Sequence, residues 1–186
     1  VQSVHAVLAL GARAVARPPT LGCTGQLAHL RQEGAGRSPR YLATEACAAA
    51  GVPVEIVPGI SSAIAAPATA GIPVTHRGVS TGFVVLSGHV VGDLSAVAST
   101  GLTVVVLMGV ATLPRLVEEF TGAGRAGSTA IAVIHRASTP AQQVVTGTLA
   151  TIERRVAEAG IENPSVIVIG DVVGVLPALA SDVPAE

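Results

Sequence analysis

The sequence contains no lysine: all 11 of its basic residues are arginines. A chain without lysine has no side-chain amine for Schiff-base chemistry and no lysine to serve as general acid or base. Cysteine is almost as scarce, because only Cys23 and Cys47 occur, without a C-x-x-C pair or a histidine at zinc spacing. The sequence therefore predicts neither a metal site nor a disulfide framework.

Long apolar runs and blocks of like charge are also missing. The longest apolar run, Gly101–Pro114, is too short to span a bilayer, and Val1–Pro18 lacks a basic start followed by an apolar stretch. The formal net charge is -1. We therefore expect a cytoplasmic protein with neither a nucleic-acid nor a membrane partner.

What the sequence has in quantity is apolar character. Hydrophobic residues make up 49% of its 186 residues and charged residues 12%, so a buried core is easily built. A chain of this length forms one domain, or one domain and a piece of a second.

The pattern after residue 50 is typical of an α/β fold, in which β-branched runs alternate with helical segments. The predicted strands are Val52–Val57, Phe83–Ser87, Thr103–Met108, Ala130–His135, Val144–Thr148 and Ser165–Gly170. The predicted helices are Tyr41–Ala50, Ser61–Ala70, Leu113–Thr121 and Thr151–Ala159. Thr112 is a candidate N-cap, while Gly71 and Gly160 are expected to end helices.

The first 50 residues are less regular. Val4–Leu10 fits a strand or a helix fragment, and Arg17–Arg40 has no sustained period, which predicts loop structure.

The densest chemical signal is the segment Val57–Ala63, where a strand ends, Pro58-Gly59 turns the chain, and Ser61 and Ser62 fall at a helix start. Free backbone N–H groups and hydroxyls at such a point suit carboxylate, ribose or adenine edges of a ligand. Ordinary helix capping by the serines is the alternative, and on spacing alone it is the commoner case.

A resemblance to a known family starts at the same segment. Residues 57–78 read VPGISSAIAAPATAGIPVTHRG and resemble the pattern PGxTSxxAxPAYAGIPLTHR of uroporphyrinogen-III C-methyltransferases, which belong to the tetrapyrrole methylases. Further family motifs follow in order, and the resemblance extends from Glu45 to about Val175. These motifs are Ser87-Gly88-His89, Leu107-Met108-Gly109, Ser138–Gln143 and Pro164–Gly170.

The resemblance implies a methyltransferase in which S-adenosylmethionine lies between two α/β domains. Its methyl group would pass to pyrrole carbons of uroporphyrinogen III, giving precorrin-2 for sirohaem and cobalamin, and the enzyme would be a homodimer. The family's cofactor contacts fall on Ser61, Ser62, Met108 and Ala137, which we expect to converge on one cleft. Taken alone, Met108 fits core filling equally well, and Ala137 carries no chemical group.

Several family motifs have no counterpart. The glycine-rich GxGPGDPxLLT segment is not found, and residues 36–44 read GRSPRYLAT where GGDPxxFGRGxEE is expected. The family's acid and base candidates, an Asp and a Lys, are unmatched, so we assign no catalytic residue. We therefore expect residues 1–50 to be a remnant of the N-terminal domain and 51–186 to form a complete C-terminal mixed-sheet domain.

Three functions remain open on this basis. The chain is an active uroporphyrinogen-III methylase, a non-catalytic fragment that retains the fold, or a sister methylase acting on another precorrin. The unmatched motifs predict that the chain alone binds S-adenosylmethionine weakly or not at all and has little turnover. Arg77 fits pairing with a substrate propionate or simple solvation, and His135 fits either a titrating group or one bonded to the backbone.

Overall fold

The computed structural model describes residues 6–10, 47, 54–88 and 94–175. The chain divides into two compact units, Val1–Ser61 and Ser62–Glu186. In the first unit, strand β1 (Ala6–Leu10) pairs in parallel with β2 (Val54–Pro58). The segment Val4–Leu10, which fitted either a strand or a helix fragment, thus contains a strand. The loop at Arg17–Arg40 and the helix at Tyr41–Ala50 lie outside the described residues, except for Cys47, which is helical.

The second unit is built on a mixed sheet of five strands. They are β3 (Phe83–Ser87), β4 (Thr103–Leu107), β5 (Ala130–His135), β6 (Gln143–Thr148) and β7 (Ser165–Ile169). Their spatial order is β3-β4-β7-β5-β6. Only the β3–β4 pair is parallel, and the other three pairs are antiparallel. The predicted mixed α/β sheet is confirmed, with strand ends within one residue of those expected.

Within the residues described, four α-helices accompany this sheet: α1 (Ser62–Thr69), α2 (Ser95–Ala98), α3 (Leu113–Gly122) and α4 (Ile152–Glu158). Two 3-10 turns, Val110–Thr112 and Asp171–Gly174, complete the unit. Gly71 and Gly160 have left-handed φ values of 69° and 62°, as expected of residues that end helices. In the described part of the chain no helix has the length and apolar character needed to cross a membrane.

Two details differ from the sequence prediction. Helix α2 was not predicted, because four residues are too few to show a helical period. Thr112 precedes α3 but its hydroxyl does not cap the helix. Instead that hydroxyl lies within hydrogen-bond distance of the carbonyl oxygens of Gly88 and Gly109, at 2.9 and 3.1 Å. Thr112 thus lies directly before α3, as predicted, but its hydroxyl contacts two glycine carbonyl oxygens instead of capping the helix.

The hydrophobic core lies on both faces of the sheet, because alternate residues of a strand point to opposite sides. Val104 and Val106 pack with residues of α3 and α4, whereas Val105 packs with α1 on the other face. Phe120 of α3 is completely buried in the first cluster. Removing a buried aromatic ring of this kind costs about 3–5 kcal/mol, so this helix anchors its side of the sheet.

The strand–turn–helix order around Pro58 is confirmed along the chain. β2 ends at Pro58, residues 59–61 have neither helix nor strand structure, and α1 begins at Ser62. Whether Ser61 or Ser62 caps the helix stays a prediction, and so does the domain boundary between residues 50 and 51.

Candidate functional site

The carboxyl-terminal ends of three strands meet at one edge of the five-stranded sheet. β4 and β5 both run antiparallel to β7, and β3 runs parallel to β4. β3, β4 and β5 therefore point the same way and end together. We call this the carboxyl edge, and its residues are Ser87, Gly88, Met108, Gly109 and the loop 136–142.

The carboxyl edge carries an unusual backbone. Met108, Arg136 and Ser138 have φ values of 57°, 45° and 63°, and they are the non-glycine residues with positive φ in the described part of the chain. Each such residue costs on the order of 1–3 kcal/mol and persists only where its surroundings fix it. Because all three fall at one edge, this edge is the first candidate for a binding site.

Two of the family motifs touch each other there. The N–H of Gly88 donates to the carbonyl oxygen of Leu107 at 2.7 Å. A Cβ atom on Gly88 would lie 2.3 Å from the Cα of Gly109, a distance that real Cβ atoms do not adopt. Glycine at position 88 is therefore required by the close approach of the two chain segments, which brings the SGH and LMG motifs together.

The loop 136–142 is held by a dense set of hydrogen bonds. The hydroxyl of Thr139 donates to the carbonyl oxygen of Arg136 at 2.7 Å and accepts from the N–H of Ala141 at 3.2 Å. The N–H of Arg136 donates to the carbonyl oxygen of Pro164 at 3.0 Å. These contacts supply the local support that two left-handed residues need.

His135, the last residue of β5, is buried and bonded to its neighbours. Its Nδ1 lies 2.9 Å from the carbonyl oxygen of Glu162 and 3.1 Å from Oγ of Ser165. Because a carbonyl oxygen only accepts, Nδ1 carries the proton in this contact. The carbonyl oxygen of Glu162 and the hydroxyl of Ser165 thus satisfy Nδ1 of His135.

Two of the four predicted cofactor contacts, Ser62 and Ala137, belong to segments that pack against one face of the sheet. Ala63 and Ala66 of α1, Leu107 of β4 and Ala137 itself all adjoin the same core cluster. Ser62 begins α1 and is exposed, and Met108 follows Leu107. The exposed fraction of the Met108 side chain is 50%, so this residue does not fill the core.

The distances along α1 are compatible with convergence. Ser62 and Thr69 are the first and last residues of this helix, which places them roughly 10 Å apart at 1.5 Å per residue. Thr69 in turn is bonded to Gln142 at the carboxyl edge, at 3.1 Å. Ser61 belongs to the other compact unit. Convergence of all four residues on one cleft stays a prediction.

Arg77 lies away from this edge. It belongs to a tight turn in which His76 and Ser80 exchange backbone hydrogen bonds of 3.0 Å. The hydroxyl of Ser80 accepts from the N–H of Thr103 at 3.0 Å. Thr103 is the first residue of β4, so the turn packs at the opposite edge of the sheet from Met108.

Sequence reasoning did not single out Arg136 or Gln142. Arg136 is exposed at the carboxyl edge, and Gln142 stands in the STPAQQ motif without a role assigned to it. Their only sequence signal is their position after a predicted strand. Among the described residues, no three His, Cys, Asp or Glu side chains lie close enough together to hold a metal.

Comparison with known proteins identifies the family of the chain. A sequence model of the family described as Tetrapyrrole (Corrin/Porphyrin) Methylases matches residues 37–153. The match covers more than half of the chain, and the chain therefore belongs to this family.

Individual relatives carry more specific names. The chain is 43% identical over 135 residues to the uroporphyrinogen-III C-methyltransferase of Priestia megaterium, covering 69% of this chain and 57% of that protein. It is 42% identical over 133 residues to the enzyme of the same name from Methanocaldococcus jannaschii, covering 67% and 54%. The chain thus spans a little over half the length of these curated relatives.

A solved structure is similar in fold as well as in sequence. It is the Thermus thermophilus uroporphyrin-III C-methyl transferase in complex with S-adenyl homocysteine. Its TM-score is 0.62 at 33% identity, and the match covers 71% of this chain and 57% of that one.

Proposed function

We propose that this chain takes part in the S-adenosylmethionine-dependent C-methylation of uroporphyrinogen III to precorrin-2. The observation that carries the proposal is the carboxyl edge: Met108, at a family contact position, and Arg136 and Ser138, on either side of Ala137, all have left-handed backbones there. Strain of this kind is concentrated at ligand-binding and catalytic sites. The names of the relatives support the same reaction.

The residues at the carboxyl edge fit such a methyl donor. Met108 offers an exposed apolar thioether side chain at this edge. Exposed Ser62 adds a hydroxyl at the start of α1. Apolar contacts with a few fixed polar groups are what a nucleoside-containing ligand requires.

When bound, S-adenosylmethionine supplies a sulfonium methyl group for in-line attack by an electron-rich pyrrole carbon. The chain's part in this reaction is to hold the two reactants close and aligned, which can supply much of the rate. Arg136 is exposed and carries a guanidinium group at the carboxyl edge. We assign it to a carboxylate of the tetrapyrrole, since guanidinium and carboxylate pair through two hydrogen bonds.

Met108 makes the binding step directly testable, because it is the only methionine in the sequence. In a chain labelled with ¹³C at the methionine methyl, Met108 contributes one signal, which the variant Met108→Leu identifies by its loss. We expect S-adenosylhomocysteine to shift this signal in a saturable way, with adenosine monophosphate as control. A Met108 signal that does not respond to millimolar S-adenosylhomocysteine would overturn the proposal.

A non-catalytic fragment is the second candidate function, and a sequence observation favours it. The 186 residues contain no lysine and no match to the family's GGDP motif. Anaerobic incubation with uroporphyrinogen III and S-adenosylmethionine separates the two candidates by the mass of the product. Methylated product at the rate of the Priestia megaterium relative excludes the fragment, whereas ligand binding without product supports it.

We further propose a cytoplasmic homodimer. The resemblance to the family supports the dimer and the location. Light scattering on the purified chain is expected to give twice the mass of 18.4 kDa. A monomer mass across the concentration range would contradict the dimer.

A further inference from the structure

Gln142 connects two separate parts of the second unit through one side-chain amide. Its Oε1 accepts a hydrogen bond from the N–H of Ser138 at 2.9 Å, and its Nε2 donates to the carbonyl oxygen of Thr69 at 3.1 Å. An N–H group only donates and a carbonyl oxygen only accepts, so the two partners fix the orientation of the amide. Thr69 and Gln142 are 73 residues apart in the chain.

On the helix side, Gln142 satisfies a carbonyl group at the end of α1. The last carbonyl groups of a helix have no partner within the helix. Backbone N–H groups after α1 bond to the carbonyl oxygens of Ala66, Pro67 and Ala68. The carbonyl oxygen of Thr69 instead takes the Gln142 side chain, so Gln142 acts as a C-terminal cap from a distant loop.

On the loop side, Gln142 supports a left-handed residue. Ser138 has a φ value of 63° and follows Ala137, the predicted cofactor contact. The N–H of Ser138 donates to the Gln142 amide within the same loop. Loss of that acceptor removes one of the contacts that offset the strain.

The two contacts together connect the predicted ligand-binding elements. Helix α1 carries Ser62, and the loop 136–142 carries Ala137. We propose that Gln142 is a positioning residue that fixes the spacing between these two elements and thereby the shape of the cofactor pocket. The inference rests on the proposed function, since it assigns Gln142 a role in that site.

The test uses two variants at position 142 and two matched controls. Gln142→Leu removes both hydrogen bonds at similar volume, while Gln142→Glu keeps an acceptor for Ser138 but sets a carboxylate against the carbonyl oxygen of Thr69. Gln143 is the next residue and is exposed, so Gln143→Leu and Gln143→Glu repeat the same chemical changes one position away from Gln142. None of the four variants adds a second methionine.

The readout is the titration of S-adenosylhomocysteine followed by the Met108 methyl signal, at a temperature where every variant is folded. We expect both Gln142 variants to weaken binding about threefold to tenfold, because an ordinary hydrogen bond contributes about 0.5–1.5 kcal/mol net and 1.4 kcal/mol is tenfold. The Gln143 variants are expected to stay within about twofold of the unaltered chain. In the Gln142 variants the free Met108 signal should keep its position, since their fold is unchanged.

Separate outcomes overturn separate claims. An unaltered chain whose Met108 signal does not respond to the ligand overturns the proposed function, and the positioning role with it. An unaltered chain that binds, with Gln142 variants that bind equally well, overturns the positioning role alone. If Gln142→Leu does not fold, Gln142→Glu decides: binding as tight as that of the unaltered chain contradicts the inference.

Discussion

Gly88 and Gly109 lie so close that a Cβ atom on Gly88 would be 2.3 Å from the Cα of Gly109. The contact joins the end of β3 to the end of β4, and the hydroxyl of Thr112 reaches the carbonyl oxygens of both glycines. Two short segments that are separate in sequence thus form one tight backbone crossing at the carboxyl edge.

Gly88→Ala is expected to lower the free energy of unfolding by about 1–3 kcal/mol or more, because the clash is with backbone that must move. Gly122→Ala is the matched control. Gly122 ends α3 and has nothing within 4 Å of an added Cβ, so this change should be neutral or stabilising by up to about 1 kcal/mol. Urea denaturation measures both variants, and equal stabilities would contradict the crossing.

Arg125 stabilises the loop before β4 through two side-chain hydrogen bonds. Its Nε donates to the carbonyl oxygen of Ala98 at 3.1 Å and its Nη2 to that of Leu102 at 2.8 Å, with the guanidinium 5.7 Å from the Phe120 ring centre. Arg125→Leu removes both donors and should lower the free energy of unfolding by about 1–3 kcal/mol. Arg125→Lys should recover part of the loss, since one ammonium cannot reproduce the guanidinium fork.

The effect of Arg125 on stability should not change between about pH 5 and 9. Burial lowers the pKa of Arg125, and the nearby charge of Asp171 partly opposes this shift. A cation with a lowered pKa in the folded state makes the unfolded chain bind more protons, so stability rises with pH only in the alkaline range where arginine titrates. A stability difference between Arg125→Leu and the unaltered chain that varies across pH 5–9 would contradict this assignment.

Unlike Arg125, Thr103 carries a buried polar group that makes no hydrogen bond among the described residues. The residue is fully buried, and within the described residues its Oγ1 has no hydrogen-bond partner. Thr103→Val replaces this hydroxyl with a methyl group of similar size and should be neutral or stabilising by up to about 1 kcal/mol. Thr103→Ser keeps the hydroxyl and loses a methyl group, so we expect it to destabilise by about 1 kcal/mol. A destabilised Thr103→Val would reveal a partner for the hydroxyl.

The strands of the second unit could be predicted from the sequence because each is a short β-branched run. Val104, Val105 and Val106 are all fully buried, and a strand covered on both faces needs apolar residues at every position. Family motifs also located Met108 and Ala137. These features are local, or are carried by a long matching pattern.

Side-chain roles that depend on contacts between distant segments could not be predicted from the sequence. The left-handed backbone of Arg136 and Ser138, residue types for which φ above zero is uncommon, has no sequence signal. The bond from Gln142 to Thr69 crosses 73 residues, and the direction of the Thr112 hydroxyl depends on where Gly88 lies. Each arises only when the sheet brings separate segments together.

The last prediction compares Arg136, which we assign to a substrate carboxylate, with Arg77, for which the sequence left the same pairing open. Arg136 is exposed at the carboxyl edge, while Arg77 is exposed in the turn that packs near Thr103 at the opposite edge. If the tetrapyrrole binds at the carboxyl edge, Arg136→Gln should weaken binding of uroporphyrin III about tenfold through loss of a charge-assisted pair. Arg77→Gln should change it by less than about twofold.

The comparison is informative because both variants remove one positive charge from an exposed arginine. Each variant makes the net charge of -1 more negative by one unit. Long-range repulsion of a polycarboxylate therefore increases to a similar extent in both, and this repulsion weakens with added salt. A direct pair at Arg136 should leave a difference between the two variants that persists from about 0.05 to 0.3 M salt. Fluorescence titration measures the affinities, and circular dichroism verifies that both variants are folded. Equal losses would indicate a non-specific charge effect, and a larger loss for Arg77→Gln would place the substrate carboxylate at the turn and contradict the assignment of Arg136.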